Sequence, residues 1–357
     1  MKKCMRNCKT IGVGLLLGMT VLLSGCGTNK EQQPVTLSTP VSMNSPADIQ
    51  LVNTEGKVVN YLTGEWVDPE VNSRRPVAIM INNIGEAMPQ SGIGEADVIY
   101  EMVVEGGITR LMAVFSDYQD LGKIGPVRSA RQYYVRAAGQ MDAVFCHIGT
   151  STLADTELAS GRVDNMDGMN AVGNYFIYRD DSRVAPHNAY TSGQGLNAAL
   201  DYAGIDMNYD DNFQASFSFN SKNKELENGS PANKVTTAFN GSRQPWFEYH
   251  EDDHQYYRFQ FGEAQIDDQT GEQLKFQNVL ILFAETYSVD GYLMEVCNAD
   301  HGDGYYATNG QYIPITWRYE LGTIHYYTKD GERLRMNPGK TWITYFDKDN
   351  PAGVMFE

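Results

Sequence analysis

Two alternating runs, Asp97–Val104 and Ile108–Phe115, meet at Gly106-Gly107 and lead to Gly125-Pro126-Val127-Arg128-Ser129-Ala130-Arg131, and this stretch narrows what the chain can fold into. Alternate side chains of a strand share a face, so Asp97, Ile99, Glu101, Val103 and Glu105 point one way and Val98, Tyr100, Met102 and Val104 the other. Paired glycines between such runs predict a buried hairpin. Gly125 and Pro126 then predict a tight turn, and Ser129–Gln140 a helix with Ser129 as its N-cap. The start of a helix presents free N–H groups and the positive end of its dipole, which attract an anion. Arg128 at that start and Arg131 in the first turn oppose the dipole, a small penalty that an anion nearby would relieve. Their guanidinium forks suit phosphate or carboxylate, so Arg110, Arg128 and Arg131 are candidate ligand residues. The plainer expectation is ion pairing with the carboxylates of the hairpin.

The rest of the chain divides by pattern. Residues 74–220 alternate strands and helices: Pro76–Ile81 is apolar throughout, Asp142–Ile148 is a second buried strand, and Ser192–Tyr202 suits a helix closed by Gly204. Residues 221–233 are polar with turn formers and read as a linker. Residues 234–357 hold short aromatic or β-branched runs separated by turns such as Asn309-Gly310 and Asn337-Pro338-Gly339. The expectation is an α/β N-terminal domain, with a mixed sheet and helices, plus a mostly antiparallel β C-terminal domain.

Residues 1–25 carry a different signal. Lys2, Lys3, Arg6 and Lys9 precede the apolar run Ile11–Leu23, which is shorter than the ~20 residues that a spanning helix needs. Leu23-Ser24-Gly25-Cys26 resembles a bacterial lipobox, so Cys26 is the expected lipidated residue and the membrane an expected partner. Residues 26–73 then form a tether, most polar between Thr28 and Pro46. The chain's net charge is −17, and removing four basic residues with the leader makes it more negative. That balance argues against nucleic acid as a partner. Cys146 and Cys297 lie in apolar runs and read as buried thiols.

The remaining candidates are single residues. Asp97 and Glu101 share a face and are a possible holder of a divalent metal. His147 ends a buried strand, where open α/β sheets place ligands, and His187 with Asn188 follows Pro186 in a rigid loop. No spacing of histidines or cysteines marks a metal site, and Gly-x-Ser-x-Gly, Walker and dinucleotide motifs are absent from the sequence.

Arg75-Pro76-Val77-Ala78-Ile79-Met80-Ile81-Asn82-Asn83, Ala96-Asp97-Val98-Ile99-Tyr100-Glu101, Glu105-Gly106-Gly107-Ile108-Thr109-Arg110, the Gly125–Arg131 turn, His147-Ile148-Gly149 and Pro186-His187-Asn188 occur in order. With them the chain resembles the YerB-like bacterial lipoproteins, a family of unknown function, which implies export, lipidation and a two-domain plan. The leading expectation is a tethered extracytoplasmic envelope protein. It binds an anionic envelope polymer through Arg110, Arg128 and Arg131, with Asp97, Glu101, His147, His187 and Asn188 around them. The alternatives are a metal-dependent phosphotransferase or hydrolase acting on an envelope glycan or lipid phosphate, and an assembly lipoprotein that binds other envelope proteins.

Overall fold

The run Val77–Asn83 (β1) has no polar face until its last two residues, so as a strand it needs cover on both sides. In the computed structural model, which describes residues 52–357, it lies in the interior of an 11-stranded sheet. Val98–Val103 (β2) and Thr109–Phe115 (β3) form the expected hairpin, and β3 also pairs antiparallel with β1. Beyond β1 come Val144–His147 (β4) and Asn165–Asp167 (β5), both added in parallel. The connection from β3 to β4 carries helix Gln132–Gly139 (α1), and that from β4 to β5 carries Thr152–Leu158 (α2). Gly193–Ala203 (α3) begins with the Ser192 hydroxyl accepting from the Gly195 N–H and ends at left-handed Gly204.

The second half is almost all strand: Lys234–Thr237 (β6), Trp246–His250 (β7), Gln255–Gln260 (β8), Asn278–Ala284 (β9), His301–Thr308 (β10), Gln311–Glu320 (β11), Thr323–Thr328 (β12), Thr341–Asp347 (β13) and Val354–Phe356 (β14). Strands β6, β7, β8 and β14 belong to a second, antiparallel sheet. Strands β9 to β13 extend the main sheet, and β13 lies between β9 and β2, parallel to both. The mixed sheet and the mostly antiparallel second half are as expected, and β13 joins them into one hydrogen-bonded surface.

Two apolar layers follow from strand alternation. On one face Tyr100, Met102, Met112 and Val114 pack with Tyr133 and Tyr134 of α1, and with Phe217 and Tyr326. On the other, Ile79, Ile99 and Leu111 pack with Leu196 and Leu200 of α3, while Ile281 and Trp342 meet Phe247 and Phe276. The second sheet therefore covers the C-terminal strands on the face where α3 covers the N-terminal ones.

Several expectations differ from this arrangement. Helix α1 starts at Gln132 with Arg131 as an N-cap that makes no side-chain capping bond, so Ser129 is not the cap and Arg131 is not in the first turn. Residues 52–73, expected to end the tether, hold the pair Val58–Val59 and Trp66–Val67 and a helical turn Pro69–Asn72, with Val58 and Leu62 buried. In the expected linker, Ser230–Pro231 pairs with β11, and the Lys224 N–H donates to Asn337 Oδ1 (2.9 Å). Cys146 is a free buried thiol, but Cys297 is disulfide-bonded. The leader, Cys26 and the polar tether as far as residue 51 lie outside the described residues. Among the described residues no helix is long and apolar enough to cross a membrane.

Candidate anion site

The three carboxylates of the hairpin go to three separate places. Glu101, on β2, is fully buried against Arg258 of β8, with Nη2 donating to Oε2 at 2.7 Å. Its Oε1 accepts from Thr109 Oγ1 (2.9 Å) and Asn83 Nδ2 (3.3 Å). The Arg258 guanidinium lies between the rings of Phe247 and Trp342, 4.6 and 4.4 Å from their centroids. Around this pair Gln260 Nε2 donates to Asn83 Oδ1 (2.8 Å), and Gln265 Nε2 to Gln90 Oε1 (2.9 Å). The network joins the second sheet to β2 and is closed to solvent.

Asp97 is held at the other end of β2, where Oδ2 accepts from the Ser116 N–H (2.6 Å) and hydroxyl (2.7 Å). Burial pushes its carboxyl up to about 6 against those bonds. Four residues along a strand place Asp97 and Glu101 roughly 13 Å apart. Metal–oxygen contacts are only ~2.0–2.6 Å, so the two cannot share an ion, and the expected divalent-metal site is not formed. Among the described residues no group of three or more histidines, cysteines or carboxylates could hold a metal.

Glu105 takes the third place, in the turn between β2 and β3, where Gly106 and Gly107 have φ of 73° and 67°. Arg131 grips it, with Nε to Oε2 at 2.8 Å and Nη2 to Oε2 at 2.6 Å, while Nη1 donates to the Ala130 carbonyl (2.7 Å). Burial raises the Glu105 carboxyl, but the Arg131 hydrogen bonds and charge outweigh it and hold the group below its ordinary value. The charge of Arg131 is thereby answered by Glu105, which makes it a structural partner first.

Arg110 and Arg128 stand beside that pair. Arg110 is on the face of β3 that carries α1, away from Asp97 and Glu101, and only 6% exposed. Its Nη1 donates to the Ser129 carbonyl (2.6 Å). Burial, with the charges of Arg131 and Arg128, brings it down to about 10. Arg128 follows the tight turn: the peptide before Pro126 is cis, and a Cβ on Gly125 would lie 2.9 Å from the Tyr190 ring. Its N–H donates to the Met80 carbonyl, and its buried Nε has no partner. Burial and Arg131 lower its basicity too. Among the described residues neither Arg110 nor Arg128 has a carboxylate within ion-pair distance.

His187 joins this group and His147 does not. Asn82, the register partner of Arg110, donates through Nδ2 to His187 Nδ1 (2.7 Å). An amide nitrogen only donates, so Nδ1 is the acceptor and the ring proton sits on Nε2. Burial, then the charge of Arg128, lowers the His187 basicity. His147 is fully buried, with Nδ1 on the Gly149 carbonyl (3.0 Å) and Nε2 on Asn165 Oδ1 (3.3 Å), which supports the loop after β4. Asn188 Oδ1 accepts from Arg179 Nη1 (2.9 Å) and braces the 179–188 ribbon. Sequence reasoning missed Asn82 as the orienter of His187 and Arg258 as the partner of Glu101. An Asn-Asn pair ending an apolar strand was the available signal for the first; nothing local marks the second.

With the geometry in hand, the comparisons place the chain. Residues 62–206 match the N-terminal domain, and 235–343 the C-terminal domain, of the proteins of unknown function DUF3048. The Bacillus subtilis protein named "Putative lipoprotein YerB" is 34% identical over 309 residues, 85% of this chain and 90% of that protein. The crystal structure of YerB from Bacillus subtilis superposes with a TM-score of 0.75 at 30% identity, covering 84% of this chain and 100% of the other. The chain thus belongs to the YerB-like DUF3048 family, with both family domains in order and a shared strand layer between them.

Proposed function

We propose that this is a lipid-anchored, extracytoplasmic envelope protein that binds an anionic envelope ligand at Arg110 and Arg128, with Ser129 and His187 beside them. The observation that carries the reading is charge without a partner. Arg110, Arg128 and Arg131 feel one another's charge, Arg131 takes Glu105, and a buried and a half-buried guanidinium remain without an acidic partner among the described residues, in a chain whose net charge is −17. Burying cations without counter-charge is costly, and a bound anion offsets that cost. The lipobox-like Leu23-Ser24-Gly25-Cys26, and the lipoprotein name of the Bacillus relative, support the anchor.

Two experiments test the two parts. The unfolding midpoint of the full-length protein in detergent is measured in sodium sulfate and in sodium chloride at matched ionic strength. Sulfate stabilises any fold by exclusion, so the reading is the difference: wild type is expected to gain more from sulfate over chloride than Arg128→Ala does, and an equal gain in the two removes the anion site. For the anchor, Cys26→Ser is expected to abolish palmitate labelling and release the protein from the membrane fraction. Labelling that persists in the variant removes Cys26 as the lipidated residue.

A further inference from the structure

The occupant's chemical class follows from how much charge the site leaves over, given the anion-binding reading above. A carboxylate carries one negative charge and two coplanar oxygens, which a single guanidinium fork satisfies. Such a ligand would leave either Arg110 or Arg128 as poorly compensated as before. A phosphoryl group carries about −1.5 to −2 at neutral pH and three acceptor oxygens.

The donors fit the second case in number and placement. Arg128 Nε is buried without a partner, and Arg110 has given one N–H to the Ser129 carbonyl, which brings its guanidinium to the 125–131 turn. His187 rests on Asn82, directly across the sheet from Arg110, and feels the charge of Arg128. Its Nε2–H and the Ser129 hydroxyl are without a hydrogen-bond partner among the described residues. These donors come from a strand, a turn and a loop, and they outnumber the two oxygens of a carboxylate, while a phosphoryl group offers three acceptor oxygens. We infer that the site takes a phosphoryl dianion, as a phosphomonoester or diphosphate, in preference to a carboxylate.

Calorimetric titration of the full-length protein in detergent with inorganic phosphate, diphosphate and acetate, at constant ionic strength, tests this. Phosphate or diphosphate is expected to bind at least about tenfold more tightly than acetate, with Arg128→Ala losing about tenfold or more and Arg128→Lys less, because lysine keeps the charge without the fork. An unchanged unfolding midpoint in both variants shows that the loss is not unfolding. Acetate binding as tightly as phosphate overturns the phosphoryl assignment and leaves the anion site standing. No binding of any of the three to wild type overturns both. Phosphatidylcholine vesicles with and without phosphatidic acid separate the sources. Capture that requires phosphatidic acid and Arg128 supports a phosphoryl group borne on a lipid; titration by the free anions without such capture supports a soluble phosphate.

Discussion

Glu101 with Arg258, and Glu105 with Arg131, Arg110 and Arg128, use the same two residue types in different proportions. The first is one carboxylate and one guanidinium, both fully buried, with the carboxylate oxygens taken by Asn83, Thr109 and Arg258 and the cation sandwiched by two rings. The second is one carboxylate among three guanidiniums, two of them without an acidic partner among the described residues. A balanced buried pair answers every charge it contains and acts as a connection. An unbalanced cluster leaves a charge for something else to answer. The family regions meet at the pair, which ties β8 to β2, whereas the cluster is built within the N-terminal region, from the hairpin turn, the 125–131 turn and the loop that carries His187.

The largest expected effect breaks the balanced pair. Glu101→Ala leaves Arg258 charged and buried, and should destabilise the fold by about 3–5 kcal/mol in denaturant unfolding. Replacing both partners with apolar groups, Glu101→Leu with Arg258→Met, should cost clearly less than the single change. A double variant as unstable as Glu101→Ala would mean that the surrounding amides, not the pair, carry the connection.

Next comes the unbalanced cluster's own counter-charge. Glu105→Ala removes the sole carboxylate from three arginines and should cost about 3 kcal/mol, with part of that recovered in sulfate. Its pH dependence has a fixed sign. The folded carboxyl lies below its ordinary 4.5, so the fold binds fewer protons than the unfolded chain in the interval between the two values. The stabilisation is therefore present above 4.5 and lost as pH falls through the folded value. Comparing wild type with Glu105→Ala between pH 6 and pH 3, the two stabilities should converge on the acid side; a constant gap would show that Glu105 contributes by packing alone.

How much of this was legible varies with how local the cause is. Strands β1 to β3 and helix α3 followed from alternation, paired glycines, Ser192 and Gly204, all signals within a few residues. The start of α1 did not, because the backbone around Ser129 is tied to the β4 loop instead: the Ile148 N–H donates to the Arg128 carbonyl and the Ala130 N–H to the Gly149 carbonyl. The pairing of β13 with β2, and the reach of Arg258 to Glu101, join positions more than 150 residues apart, for which no local pattern exists. The arginine cluster was legible as a group, but the division of labour within it depended on where Glu105 pointed.

The smallest stability effect is the sharpest test of that division. Arg128→Ala removes no ion pair, and it relieves repulsion that Arg110 and Arg131 now share with it. Its half-buried side chain contributes some packing, so the net change in unfolding free energy should fall within about 0.5 kcal/mol of zero. The same substitution in the balanced pair, Arg258→Ala, should cost several times more, because it strands Glu101 in the interior. Removal of Arg128 should also raise the basicity of His187, which that charge now holds down, and this is readable as an upward move of the His187 imidazole titration by NMR. A large loss of stability in Arg128→Ala with no movement of His187 would make Arg128 a structural residue like Arg258, and the contrast between the two clusters would fail at the residue on which it rests.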